Sequence, residues 1–558
     1  MAERIERGAG LAVESAVKLK ELLPQELCSS LGPELEVEIT GLSHDSRQAG
    51  AGDIYFALAR DEAQRRRNAQ QALERGVRAV VMEGWKGAGT RPAAAIINCS
   101  SPRRLMALVA ARFYGEPSRA LELLGVTGTS GKTTTSFLLA AMAEAAGRPA
   151  GIIGTIGAFA AGRKLFSGLT TPESADLQAA LRAMKELGCR FVCAEISSIG
   201  LDQGRAEGLD FRACLFTNLG RDHLDYHGTL DNYFAAKLRL FTEILARSRQ
   251  DDPVTVARGD DPYGARVLAL APGRKVSFGL RPDLDVYPLE SSLSFDGIRT
   301  RLSVFGEELA VASPLLGEIN LLNLLGAVAV ARALGFPAEA VAKGAASCAS
   351  PPGRLEGVAA PDGIGVFVDY AHKPDALAGV LNALRGLAAG RLICVFGCGG
   401  DRDRGKRPLM GEVAGRLADL AVVTSDNPRS EDPGAIIDQI ETGLTRAGLP
   451  RLTGLPHAGA RGYLIEPERR RAIEAAIAAA RPGDVVLIAG KGHEDYQLVA
   501  GRRLSFDDRV VAREVLAARG GRRPGTGAVS QGASGAGPGP APKRRLDCAG
   551  RSEAPAGG

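Results

Sequence analysis

Residues 121–147 read LELLGVTGTSGKTTTSFLLAAMAEAAG, and this stretch decides the fold. Leu121–Val126 is a short apolar run of the length and composition of a buried parallel strand. Thr127–Gly131 is a glycine-rich turn, and Lys132–Ala146 carries apolar side chains at helical spacing. Strand, glycine turn and helix in that order form the basic unit of an α/β fold. The turn also has a chemical use. In Gly128-Thr129-Ser130-Gly131-Lys132-Thr133 the glycines let backbone N–H groups close around phosphate oxygens, and the helix N-terminus favours their charge. Lys132 can reach terminal phosphates and Thr133 can offer a hydroxyl to Mg²⁺. The pattern is not a strict Walker A, because the glycine expected at Val126 stands one place early, as Gly125.

Outward from this unit the pattern repeats. FVCAEIS and ACLFTNL are apolar runs that end in polar residues. From Pro351–Arg354 onward GVFVDYAH, RLICVFGCGGDRD, LAVVTSDNPR and DVVLIAGKGHEDY do the same. That predicts a second doubly wound domain with a crevice built from four loop tips. Before residue 118 the chain mixes strands such as RAVVME and AAAIINC with helices. The predicted organisation is an N-terminal domain over 1–118, a central domain with a mostly parallel sheet over 119–350, a Rossmann-like domain over 351–518, and a disordered tail over 519–558. The tail is Gly, Pro, Ser, Ala and Arg with almost no large apolar side chain, so burial cannot offset its ordering entropy.

A chain of 558 residues is too long for one core. Its 45% apolar and 24% charged residues are those of a globular protein, and a net charge of +5 gives no electrostatic case for nucleic acid. No apolar run is long enough to span a bilayer, and MAERIERGAG lacks the apolar core of a secretory signal. Of nine cysteines, Cys189/Cys193 and Cys394/Cys398 form C-x3-C pairs inside apolar runs, without metal-site spacing. They read as reduced, buried thiols, and the expected compartment is the cytoplasm.

Three polar clusters follow the phosphate loop: AEISS with Glu195 and Ser197, TNLGRDHLDYHGT with Asn218, Asp222, His223, Asp225 and His227, and YFAAKLRLF with Lys237. Phosphoryl transfer needs divalent cations, which take hard oxygen ligands and an occasional imidazole, so Glu195 and His223 are the candidates. Four of the six histidines, His223, His227, His372 and His493, fall in such loop-tip clusters. Lys237 lies among apolar neighbours, and from the bare sequence it reads as a snorkelling helix lysine.

GTSGKTTT, TTPES, EISS, TNLGRDHLDYHGT, AAKLRLF, LLNLLGA, PGRLE, VDYAHKPDAL, GCGGDRDRGKR, DNPR and GKGHEDYQ follow in the order seen in the Mur ligases, which this chain closely resembles over roughly residues 40–515. The resemblance implies an N-terminal domain for a UDP group, a central ATPase and a Rossmann-like domain that closes over the site. It implies ATP held by Gly128 through Thr134, Lys132 above all, with Asn323, Arg354 and Asp369. It assigns Thr133 and Glu195 to one Mg²⁺ and His223 with Lys237 to another, Lys237 being carbamylated. Lys132, Glu195, His223 and Lys237 form the implied catalytic set. Thr170, Thr171, Ser197, Gln203 and Arg205 match residues that hold the UDP-sugar, and Ser46 matches one near the uridine. His372 and Lys373 border the crevice without an assigned role.

The implied reaction activates a D-Glu carboxylate of UDP-MurNAc-L-Ala-D-Glu as an acyl phosphate, which an amine then attacks. Asp426-Asn427-Pro428-Arg429 bears on which amine. Meso-diaminopimelate carries a carboxylate where lysine has only hydrogen, and Arg429 offers that group a bidentate fork, while an acid can hold the far ammonium. Stranding one buried partner costs about 3–5 kcal/mol, so lysine should be rejected on the order of 10²- to 10³-fold. In the family DNPR marks diaminopimelate enzymes, and Arg402, Gly490 and Glu494 match the remaining contacts. The expected partners are therefore small molecules, with no nucleic acid, no membrane insertion and a monomeric state.

Three departures from the family pattern stand out: Asp61–Asn68 (DEAQRRRN) replaces a DGH-type stretch at the uridine loop, Ile199 stands where a histidine is usual, and Ala257-Arg258-Gly259-Asp260-Asp261 replaces Asn-Ala-Asp-Asp. Rival readings are a lysine-adding synthetase, disfavoured by DNPR, and a folylpolyglutamate synthetase, which should lack the DNPR–GKGHEDYQ pair. A non-catalytic scaffold would be expected to have lost Lys132, Glu195, His223 or Lys237.

Overall fold

A computed structural model describes residues 16–28, 32–85, 94–360, 363–454, 461–521 and 544–546. The chain divides into two compact units. The first takes the residues up to Leu219 together with Tyr226–Phe278 and Gly326–Gly344. The second takes Gly220–Asp225, Gly279–Leu325 and the chain from Ala345 onward. The seam expected at 118/119 thus falls inside the first unit.

In the first unit, Gly41–Ser43, Asp53–Phe56, Ala79–Met82 and Ala95–Asn98 form a four-stranded parallel sheet. Ile54, Phe56, Ala79 and Val81 face one core, and Tyr55, Val80 and Met82 face another, as period-2 alternation requires. Asp61–Asn68 is no loop here. Asp61 caps the helix Glu62–Glu74 by accepting from the Gln64 N–H, and the basic run forms the helix's first turns.

The larger sheet of this unit runs in the order Arg163–Phe166, Gly157–Ala160, Ala150–Gly154, Phe191–Glu195, Glu122–Thr127, Ala213–Phe216, Val254–Arg258, Arg274–Phe278. From Ala150–Gly154 onward all pairings are parallel, and the first two strands add an antiparallel edge. Phe216, Phe234 and Phe241 pack edge-on in its core, each fully buried phenylalanine contributing roughly 1.5–3 kcal/mol. As in any doubly wound sheet, the loops at the C-terminal ends of parallel strands are gathered along one edge.

The second unit has a six-stranded sheet in the order Glu356–Val358, Gly365–Asp369, Val485–Ala489, Leu392–Phe396, Leu420–Val423, Gly462–Ile465, parallel except for its first strand. Leu392, Cys394 and Phe396 face a core under Pro374–Arg385, Lys406–Leu417 and Pro433–Arg446, and Ile393 and Val395 face one under Arg469–Ala479 and Asp508–Gly521. Both faces are covered by helices, which explains why these strands read as unbroken apolar runs. A three-stranded antiparallel meander, Val286–Ser294, Gly297–Val304 and Glu307–Ser313, belongs to the same unit.

The helix Asp508–Gly521 carries ordered chain past the expected start of the tail at residue 519. Most of that tail lies outside the described residues. Its described part, Arg544–Leu546, pairs antiparallel with Ser291–Leu293. Cys189, Cys193, Cys394 and Cys398 are free and buried, and burial pushes the last three thiols up to about 12. Among the described residues no helix is long and apolar enough to cross a membrane.

Candidate active site

In the first unit the phosphate loop joins Glu122–Thr127 to the helix Lys132–Ala145. Gly128 has φ 147°, and a Cβ there would lie 1.9 Å from Thr217 Oγ1, so only glycine fits. The loop is pinned from the neighbouring strand's end. Thr129 N–H donates to Asn218 O (3.0 Å), Ser130 N–H to Asn218 Oδ1 (3.0 Å), and Thr217 Oγ1 to Ser130 O (2.7 Å). Lys132 Nζ donates to Gly128 O and Thr129 O at 2.8 and 3.1 Å. Thr133 and Thr134 are buried in the helix's first turn.

Glu195 ends the adjacent parallel strand, in register with Val126, and is 1% exposed. Thr155 N–H and Oγ1 donate to its two carboxylate oxygens at 3.2 and 2.9 Å. Gly154 makes room, since a Cβ there would sit 2.1 Å from Glu195 Oε1. Thr217 and Thr155 escaped the sequence reading. The signal present in the sequence was positional, a hydroxyl residue just past an apolar strand.

Lys237 departs from the snorkelling expectation. It is 1% exposed, its Nζ donates to Gly128 O at 2.9 Å and it lies 4.5 Å over the Tyr233 ring. Tyr233, one turn back on the helix Leu230–Arg239, reaches Thr129 Oγ1 at 3.2 Å, and His227 reaches Ser198 Oγ at 3.0 Å.

The expected sugar-binding residues converge beside Glu195. Thr155 Oγ1 lies 3.1 Å from Thr170 Oγ1, and Thr171 Oγ1 donates to Glu195 O (2.9 Å) and accepts from Ser197 N–H (2.8 Å). Arg205 donates to Thr171 O (2.8 Å) and Gln203 Oε1 (2.6 Å). Ser46 is not part of that cluster. It donates to Gln71 Oε1 (2.7 Å) and lines a separate cleft of about 540 Å³ with Gln64 and Asn68. Ile199 is half-buried in the helix Ser198–Asp202, and Asp261 caps the helix Pro262–Leu270.

In the second unit a cleft of about 890 Å³ opens at the strand C-termini. Arg402, Asp426, Asn427, Arg429, Gly490 and Glu494 line it, and Pro428 does not. His223 also lines it, in the left-handed region at φ 50° with Nε2 3.3 Å from Asp222 Oδ2, and Asp222 bonds Lys373. Arg429, at φ 56°, donates to Gly400 O at 2.8 Å. Asn427 Nδ2 donates to Glu494 Oε2 (2.8 Å), and fully buried Lys491 reaches Asn427 Oδ1, Glu494 Oε2 and Asp426 Oδ1 at 3.1, 3.3 and 3.6 Å. Burial, then the Asp426 charge, raises the Glu494 carboxyl above its ordinary value. Lys491 was missed in the sequence, where it read only as part of GKGHE.

Nearby, Asp369 accepts from the Leu355 and Ala371 N–H groups at 2.7 Å, and burial raises its carboxyl despite Arg354. The Arg354 guanidinium lies 4.9 Å over the Tyr370 ring, and Asn323 Nδ2 donates to Asn320 Oδ1. His372, bonded from Nδ1 to Tyr370 O, is held neutral, burial pushing it down to about 3.

Among the described residues no three His, Cys, Asp or Glu side chains converge as a metal site. The donors that fit Mg²⁺ are of another kind: the Thr133 hydroxyl beside the loop and the Glu195 carboxylate at the neighbouring strand end, both hard oxygens.

A phosphate loop on a parallel sheet, with a buried carboxylate at the next strand end, defines an α/β enzyme that uses a nucleoside triphosphate. Family models bear on this directly. The Mur ligase middle domain matches residues 126–331, and the Mur ligase glutamate ligase domain matches 353–492. The UDP-N-acetylmuramoyl-L-alanyl-D-glutamate--2,6-diaminopimelate ligase of Geobacter metallireducens is 44% identical over 497 residues, 88% of this chain and 96% of that protein. The Solibacter usitatus protein of the same name is 42% identical over 90% of this chain and 98% of its own length. A solved structure of a ligase of that name superposes with a TM-score of 0.65 at 34% identity, covering 91% of this chain and 100% of that one. Mycobacterium tuberculosis folylpolyglutamate synthase, at 21% identity and a TM-score of 0.56, shares the fold alone. The chain belongs to the Mur ligase family, and it is an ATP-dependent, ADP-forming ligase.

Proposed function

We propose that this ligase joins meso-diaminopimelate to the D-Glu carboxylate of UDP-MurNAc-L-Ala-D-Glu in peptidoglycan precursor synthesis, as a monomer in the cytoplasm. One observation carries the choice of amine: guanidinium groups and carboxylates line the same cleft, Arg402 and Arg429 with Asp426 and Glu494. An amino acid with an extra carboxylate and a far ammonium meets complementary charge there, and lysine brings no distal carboxylate to match the guanidinium charge.

A carboxylate does not react with an amine at neutral pH, because oxide is a poor leaving group. The D-Glu carboxylate attacks the γ-phosphorus of ATP, the bond to ADP breaks and an acyl phosphate forms. The amine then attacks the acyl carbon, loses a proton, and phosphate leaves. Gly128 through Thr134 hold the phosphates at the N-terminus of the helix Lys132–Ala145, and Lys132 neutralises charge that grows on the transferring group. Thr133 and Glu195 are the proposed ligands of one Mg²⁺, with Lys237, once carbamylated, and His223 as ligands of a second. Bound Mg²⁺ would supply charge neutralisation and alignment of the phosphate oxygens. Thr170, Thr171, Ser197, Gln203 and Arg205 orient the sugar substrate, and Ser46 serves its uridine end. Asn323, Arg354 and Asp369 complete the ATP contacts, and Asn427, Pro428 and Gly490 shape the amino-acid pocket. The functional division into 1–118, 119–350 and 351–518 is part of the same proposal.

The test is phosphate release with UDP-MurNAc-L-Ala-D-Glu, ATP and Mg²⁺ in the presence of meso-diaminopimelate, L-lysine or no amino acid. Release with diaminopimelate alone is expected. Equal release with lysine would overturn the pocket assignment.

A further inference from the structure

Arg402 and Arg429 of the cleft are carried by two loops, each following one of two neighbouring parallel strands, Leu392–Phe396 and Leu420–Val423. Each loop contains a non-glycine residue in the left-handed region, Asp401 at φ 52° and Arg429 at φ 56°. Such conformations persist only where their surroundings enforce them. Here the enforcement has one centre. Glu431 Oε1 accepts from the Asp401 N–H at 2.6 Å and from Arg407 Nη2 at 2.8 Å, and Oε2 accepts from Arg407 Nη1 at 3.0 Å. Asp401 returns the link by accepting from the Ser430 N–H and Oγ at 3.2 and 2.7 Å. Arg407 has no solvent exposure, and also donates to Gly399 O (3.3 Å) and Gln439 Oε1 (3.0 Å).

The two loops touch with no slack. A Cβ on Gly400 would fall 1.9 Å from Pro428 O, and one on Gly399 would fall 2.8 Å from Arg429 Nη1. A shift of one loop is therefore passed to the other. Neither Glu431 nor Arg407 lines the cleft.

We infer that Glu431, backed by the buried Arg407 fork, is a positioning residue for amino-acid selection, tying the turn that bears Arg429 to the loop that bears Arg402. The clamp sets the separation of the two guanidinium groups that would receive the distal carboxylate. This rests on the diaminopimelate reading of the cleft. Lysine offers those groups nothing to bind, so loosening the clamp penalises diaminopimelate selectively. The bidentate pairing keeps the Glu431 carboxyl ionised, down at about 2.

Glu431→Gln keeps the side chain's shape and removes its charge. Expected in steady-state kinetics on the full chain is a rise in KM for meso-diaminopimelate of about 10- to 100-fold, as for supporting groups behind a binding site. KM for ATP should stay within about twofold and kcat within about threefold, with discrimination against L-lysine falling in proportion. Equal shifts for ATP and diaminopimelate, or none, would overturn the inference. Arg407→Lys, which keeps charge without the fork, should show the same split in weaker form. Hydrogen exchange on the ligand-free protein reads the clamp without turnover. Glu431→Gln should speed exchange in residues 399–404 and 428–431 together, and unchanged exchange in 399–404 would refute the tie. Were the wild type to release phosphate only with lysine, the pocket reading would fall, while the exchange result would still decide whether the clamp exists.

Discussion

Lys237 poses the sharpest problem at the scale of single residues. It is 1% exposed, and its amine donates to the loop carbonyl Gly128 O and lies over the face of Tyr233, which puts it beside the phosphate loop and out of contact with bulk water. In the proposed mechanism the Lys237 amine, after losing its proton, would add to CO₂ and release a second proton, leaving an anionic carbamate whose oxygens could hold a metal ion. Lys237→Ala is expected to lower kcat on the order of 10²- to 10³-fold, the scale of losing one preorganised electrostatic group, and added short carboxylates should restore part of it. Full activity in the unrescued variant would remove the carbamate from the mechanism. Hydropathy pattern alone pointed to snorkelling, because it cannot see that Gly128 O, 109 residues away in sequence, meets the amine inside. Glu195 was legible as a strand-end acid, whereas its partner Thr155 was not. Nothing local marks a threonine for a carboxylate 40 positions on.

Among elements, the phosphate loop and the Tyr496–Val499/Arg502–Ser505 hairpin do comparable work. The loop was readable because its glycines and helix start are local signals. The hairpin was not, yet it pairs along the Asp426–Arg429 turn. Gln497 Nε2 donates to Asp426 O (2.7 Å), Leu498 N–H to Asn427 Oδ1 (2.9 Å) and Arg429 N–H to Leu498 O (2.9 Å). DNPR is therefore a turn clamped by strand-like bonds. For the loop, Gly128→Ala would set a methyl group 1.9 Å from Thr217 Oγ1 at a φ of 147°. It is expected to cost about 1–3 kcal/mol of stability, to raise KM for ATP by at least about tenfold, and to spare KM for diaminopimelate. Thermal denaturation and paired substrate titrations check this, and an unchanged KM for ATP would contradict the loop's assignment.

For the molecule as a whole, the strands group along the lines their hydrophobic pattern implied. Runs without alternation became strands covered on both faces, as Leu392–Phe396 and Val485–Ala489 show. What the pattern could not foresee is the path of Gly220–Asp225, which leaves its sequence neighbours and joins the second unit, taking His223 with it. The last helix, Asp508–Gly521, packs Val511, Ala512 and Leu516 into the second unit's core. Cutting the chain after Gly521 keeps those contacts. Such a truncation is expected to leave kcat/KM within about twofold, since the removed stretch has almost no large apolar side chain and contains none of the residues proposed for the sites. A loss beyond about tenfold, measured by the same phosphate-release assay, would assign the segment a part in catalysis.

The α/β class, the phosphate loop, the strand-end acids and the ordered motifs of the family are legible in the sequence, because each depends on spacing within a few residues. Which loop tips meet depends on the tertiary structure: Thr155 on Glu195, Lys237 on Gly128 O, Lys491 on Asp426 and Asn427, and Glu431 between the loops of Arg402 and Arg429. Those meetings follow from parallel strand order, which brings loops far apart in the chain to one sheet edge, and from burial, which makes every polar group there find a partner.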